Sequence, residues 1–160
     1  AAAYGAIANG GMLMKPYLVS EVRDPNGDEG VKFAPMTVNR AISEETSRML
    51  RRILQKVVET GTGQKAKPAG YTAAGKTGTA QKIDQRTGLY SKEDYVSSFV
   101  GFVPAVSPKL VILVMVDSPV GAVYGGSVAD PIFKSVAESS LTYLQVPPDD
   151  LGGRMLLVSQ

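Results

Sequence analysis

The sequence predicts an α/β chain of the α+β type, an antiparallel sheet packed with helices. Three observations carry this. Three extended segments follow one another at 71–82, 95–105 and 109–119. The linkers between them, "IDQRTGLYSKED" and "VSP", are too short for the helical crossover that a parallel pair requires. Two helical patterns bracket the set, each with an apolar stripe at 3.6-residue spacing.

Each element has its own local signal. The opening "AAAYGAIANGG" reads as a helix carrying Tyr4, Ile7 and Ala8, stopped by Asn9-Gly10-Gly11. Residues 12–40 alternate weakly around the turn-rich "DPNGDEG", which predicts a hairpin or arm. Ser43 then caps a helix over 43–59. Glu44 and Glu45 complement the dipole of its first turn. Met49, Leu50, Ile53, Leu54, Val57 and Val58 form its stripe, and Gly61 ends it. In the third extended segment, Leu110–Val116 is unbroken apolar sequence, which predicts a strand covered on both faces. A last helix is expected from Asp130 as cap with Pro131 in its first turn. Its buried stripe would be Phe133, Val136, Ala137, Leu141 and Leu144, before Pro147-Pro148.

Composition narrows the function. The chain has 160 residues, 44% hydrophobic and 20% charged, with a formal net charge of +2. That suits one folded domain and argues against a nucleic-acid partner, since the cations are scattered. It contains no His and no Cys, so a Ser-His-Asp or Cys-His mechanism within this chain is excluded. Zinc sites of the usual N/S type are excluded for the same reason, and no metal or cofactor is expected. Leu110–Val116 is about a third of the length that spans a bilayer. Beginning inside a helix without a methionine, the chain reads as an excised piece.

The chemistry concentrates in "AGYTAAGKTGTAQK" at 69–82. Read from Gly70, this fits G-x-x-x-x-G-K-[ST], the phosphate loop of a nucleotide hydrolase, with Asp117 as the magnesium aspartate. That loop joins a buried strand to a helix N-terminus. The preceding "GTGQKAKPA" cannot be a buried strand, and Gly78 would weaken the first turn of the helix by about 1 kcal/mol. Read from Lys76 as a strand, Thr77 and Thr79 share one face. Gly78 between them leaves room for another backbone. At a sheet edge, such a strand can receive a peptide as an added strand. An ordinary polar edge strand guarded by Lys76 would have the same sequence. Paired acids at Glu44-Glu45, Glu93-Asp94 and Asp149-Asp150 read as capping or solvated groups, and Ser97-Ser98 lack a base at motif spacing.

Five segments in order resemble the C-terminal part of the transpeptidase domain of class B penicillin-binding proteins. They are "AAAYGAIANGG", "AISEETSRMLRRILQKVVETGTG", "GYTAAGKTGTAQK", "SFVGFVPA" and "YGGSVADPIF". The resemblance covers residues 1–148, leaving 149–160 as a tail of unassigned role. It implies the penicillin-binding protein and serine β-lactamase-like fold, with the K-T-G strand at a sheet edge. It gives Lys76 an electrostatic and proton-relay role. Thr77 and Thr79 would bind the carboxylate of a D-Ala-D-Ala stem peptide or a β-lactam, and the Thr79 N–H would supply half of an oxyanion hole. Gly78 would keep the strand bare where substrate lies, and Tyr124-Gly125-Gly126 would form a turn before the last helix. The implied parent is a membrane-anchored peptidoglycan D,D-transpeptidase facing the periplasm or cell surface, within a cell-wall synthesis complex. No serine here begins the family's S-x-x-K or S-x-N, so no nucleophile is expected in this chain. A non-catalytic binding module of the same fold is the alternative within the family.

Overall fold

The computed structural model describes residues 1–24 and 30–150. Helix α1 (Ala2–Ala8) ends where Gly10 and Gly11 take positive φ, and the chain turns into strand β1 (Met12–Met14). An arm follows. Strand β1 pairs antiparallel with β4 (Thr37–Arg40), and β2 (Glu21–Val22) pairs with β3 (Val31–Lys32). The tip of the expected turn, 25–29, lies outside the described residues.

Helix α2 (Glu44–Thr60) begins as its sequence dictates, with Ser43 Oγ accepting the Thr46 N–H at 3.0 Å. A single 3-10 turn at Gln64–Ala66 leads toward the sheet. Strands β5 (Ala74–Ile83), β6 (Tyr90–Val103) and β7 (Leu110–Asp117) form an antiparallel meander in the order β5-β6-β7. Among the described residues β5 pairs only with β6, so its other edge is free.

Helix α3 (Gly125–Tyr143) covers one sheet face. Phe133 of α3 meets Phe99 of β6 edge-on, with ring centroids 4.7 Å apart. Val58, Val114, Ala137 and Leu141 close the cluster around them. On the opposite face, Tyr4, Ile7 and Ala8 of α1 and Leu54 of α2 pack on Ala74, Phe102 and Val111. Helix α2 thus contributes Val58 to one layer and Leu54 to the other.

Four sequence expectations are corrected. The last helix starts five residues before Asp130, so that residue and Pro131 lie inside it. Local propensity misled the reading, because a Gly-Gly start is weak on its own and tertiary contact fixes it here. Along the expected stripe, Val136 and Leu144 are exposed while Phe133, Ala137 and Leu141 are buried. Strand β7 is not covered on both faces: Leu113 and Met115 are exposed on the α1 side. Met49 and Ile53 of α2 are exposed as well.

The start of the expected tail is docked. Asp149 accepts from the Thr72 N–H at 2.7 Å and the Thr72 hydroxyl at 2.5 Å. Asp150 pairs with Lys67 at 2.6 Å, and its N–H donates to Gly70 O. Residues 151–160 lie outside the described residues.

Candidate active-site wall

The K-T-G segment occupies positions 3 to 5 of β5, in register with Val100, Phe99 and Ser98 of β6. An extended Lys76 on an antiparallel strand overturns the phosphate-loop reading, which needs a helix to start there. Asp117 ends β7 in an exposed ion pair with Lys82 at 2.7 Å. That pair lowers the Asp117 carboxyl pKa, chiefly through the Lys82 hydrogen bond.

Thr77 and Thr79 share the face turned toward the N-terminus of α3, as their spacing predicts. They line a groove of about 380 Å³ with Gly61, Thr62, Gln64, Lys65 and the 124–127 segment. Thr77 Oγ1 lies 3.0 Å from Thr62 Oγ1. The Lys76 ammonium donates to Thr77 Oγ1 at 3.0 Å and to Thr62 Oγ1 at 3.4 Å, wrapping its charge around the free edge. Thr79 Oγ1 accepts the Gly125 N–H at 3.2 Å, which ties the strand to the helix start. With Lys65 in the lining and the Lys76 ammonium on Thr77 and Thr62, the groove brings two cations and the hydroxyls of Thr62, Thr77 and Thr79 beside a helix N-terminus, a set suited to a carboxylate.

The Tyr124-Gly125-Gly126 segment is not a turn ahead of the helix. Tyr124 caps α3 and the two glycines are its first residues. A Cβ on Gly126 would lie 2.8 Å from Thr62 O, and one on Gly125 would collide with Ser98 O and Gly78 O. The helix can start against the strand only because both positions lack side chains. Gly78 is constrained from the other side, where an added Cβ would strike Ser98 Oγ. Ser97 is buried and donates to Val123 O, so it acts as structure in this chain.

Sequence reasoning missed Thr62, Lys65 and Asp130. The "GTG" after α2 was a usable signal for Thr62, but nothing local marked the other two. Asp130 is fully buried, and neither carboxylate oxygen has a hydrogen-bond partner among the described residues. Burial pushes its pKa up to about 6, against the opposing pull of Lys65 and Lys76.

Residues 1–138 match the transpeptidase family described as "Penicillin binding protein transpeptidase domain". The chain belongs to this family. It is 44% identical to stage V sporulation protein D of Bacillus subtilis, over 92% of this chain and 23% of the relative. It is 39% identical to a probable peptidoglycan D,D-transpeptidase, PbpC, of Pseudomonas aeruginosa, over 94% of this chain and 25% of that protein. Penicillin-binding protein 3 of Mycobacterium tuberculosis in complex with ampicillin superposes with a TM-score of 0.83 at 32% identity, covering 99% of this chain and 37% of that one. The same protein in complex with aztreonam gives 0.82 at 33% identity, covering 92% and 35%. This penicillin-binding protein chain thus spans about a quarter of the length of the curated relatives it matches.

Proposed function

We propose that residues 1–148 form the C-terminal portion of a peptidoglycan D,D-transpeptidase domain and supply one wall of its active site. The reaction is acyl transfer through a serine ester on another segment of the same parent protein. The observation that carries this reading is the free edge of β5, where Thr77 and Thr79 line one groove and the Lys76 ammonium donates to Thr77 Oγ1. A stem peptide ending in D-Ala-D-Ala would lie along that edge as an added strand, with the bare Gly78 opposite its backbone. Thr77 and Thr79 bind its carboxylate, and Lys76 supplies positive charge and a proton relay toward the serine. The Thr79 N–H is one oxyanion donor; losing such a donor costs about 10²–10³ in rate. A β-lactam uses the same contacts. The parent is anchored in the bacterial membrane with this domain outside the cytoplasm. No helix among the described residues is long and apolar enough to cross a membrane itself.

The test is covalent labelling. A fluorescent penicillin, followed by denaturation and electrophoresis, should label the parent protein at one serine and leave this chain alone unlabelled. Mass spectrometry placing the label on any serine of residues 1–160 would overturn the assignment. A parent protein that binds penicillin without acylation would instead be a non-catalytic member of the family.

A further inference from the structure

Asp130 sits where a carboxylate is costly. It lies one turn into α3 from Gly126, a residue that lines the groove. The point where a Gly126 Cβ would sit is 3.7 Å from Asp130 Oδ2 and 3.7 Å from the Thr77 methyl. The carboxylate therefore lies immediately behind the carboxylate-binding face of β5, sealed from solvent and unpartnered among the described residues. The charged groups acting on it are Lys65, on the 3-10 turn, and Lys76, on β5. On its own helix, Lys134 and Glu138 lie 4.0 Å apart as a pair of their own. A buried polar group without a partner costs stability unless something offsets it, and no packing role explains its charge.

We propose that Asp130 is a positioning residue whose proton sets how strongly the groove attracts a ligand carboxylate. Protonated, it leaves Lys65 and Lys76 as two uncompensated positive charges over the groove. Ionised, it cancels part of their field at the place where the ligand's own carboxylate must sit. Coulomb coupling through the protein between neighbouring charges supports an affinity difference of about three- to tenfold between the two states. By reciprocity, a bound carboxylate makes Asp130 hold its proton more firmly. This inference rests on the groove being the carboxylate site of the proposed function.

The test uses the full-length protein, its Asp130→Asn variant, and two ligands: a penicillin and its methyl ester, which lacks the carboxylate. Acylation rates are measured from pH 5 to 8. Taking the ratio of acid to ester removes the pH dependence of the serine chemistry common to both. In the unaltered protein, the ratio should fall about three- to tenfold across pH 6. In Asp130→Asn it should stay flat and high, so that the variant reacts faster than the parent with the penicillin at pH 7.5. A merely structural aspartate predicts slower reaction with both ligands and no change in their ratio. That result, or an identical pH step in both proteins, overturns the proposal. If the full-length protein does not acylate at all, the proposed function fails separately. Reversible binding of acetyl-D-Ala-D-Ala against its C-terminal amide, at pH 5.5 and 7.5, then tests the coupling directly. A stronger preference for the acid at pH 5.5 supports the proposal, and equal preference at both values overturns it. Should the variant not fold, the acid-to-amide preference of the unaltered protein is read in the same way.

Discussion

A Cβ placed on Gly125 would lie 2.7 Å from the carbonyl oxygen of Gly78, so the first residue of α3 and the middle of the K-T-G strand are in backbone contact. The Gly125 N–H also donates to Thr79 Oγ1. The floor of the groove is thus a strand-to-helix junction whose spacing is set by missing side chains.

Gly125→Ala should force that junction apart. Overpacking of this kind typically costs about 1–3 kcal/mol, and a urea titration should show it as a lowered midpoint. Gly5→Ala is the contrasting substitution. It lies within α1 with nothing inside 4 Å of the added methyl. Removing helical glycine should raise stability by about 0.5–1 kcal/mol. Equal effects of the two variants would mean that close approach at Gly125 does not govern the site.

The same junction shows what could be read from sequence. The meander and its order follow from short linkers and alternation, which are local signals. The edge position of Lys76, Thr77 and Thr79 was implied only by the family resemblance. The start of α3 was misplaced because Gly-Gly discourages a helix locally, and only the backbone of Gly78 and Thr62 explains why glycine is required. Thr62 and Lys65 come from the turn after α2 and Asp130 from α3, so no spacing along the chain could bring them together with the K-T-G strand. The exposed side of β7 was misread because an apolar run records what a strand can bury, not what lies against it.

Asp149→Ala should loosen the entrance to β5. Its carboxylate accepts from both the amide and the hydroxyl of Thr72, and Thr72 in turn accepts the Ala105 N–H at 2.9 Å. Hydrogen bonds to a charged acceptor contribute about 1.5–3 kcal/mol where water is excluded, and less at this exposed site. Hydrogen exchange should accelerate at the Thr72 amide first. Unchanged exchange there would show that the docked 149–150 segment does not hold the strand.

Asp130 should also leave a signature in stability. The folded chain binds its proton more tightly than the unfolded chain, because the pKa rises from 3.8 to about 6. Stability is therefore highest with the proton on, and is lost as pH rises from about 4 through about 6. Glu59 and Asp117, whose pKa values are lowered, lose their contributions in the more acidic range and are common to both proteins compared. The difference in unfolding free energy between Asp130→Asn and the unaltered chain should grow across pH 4–6 and level off above it. A difference independent of pH would mean that Asp130 titrates alike in the folded and unfolded chain.

The sheet face that α1 leaves open should make the isolated chain adhesive. Val111 packs beneath α1, but Leu113 and Met115, two and four residues on, are 43% and 63% exposed on the same face. Met49 and Ile53 of α2 are 57% and 59% exposed. Apolar side chains of this size gain about 1.5–3 kcal/mol each when fully buried, and Leu113 with Met115 on one uncovered strand face favours association. The relatives carry roughly three-quarters of their length beyond the matched segment, enough chain to supply the missing layer. The isolated chain should bind a hydrophobic dye and self-associate with rising concentration. Leu113→Lys with Met115→Lys should suppress both effects in the isolated chain, because charge on an open face costs little. In the full-length protein the same pair should be strongly destabilising, because it would bury two unpaired ammonium groups. A full-length protein that tolerates both lysines would show that this face stays open, and that the sheet is completed elsewhere.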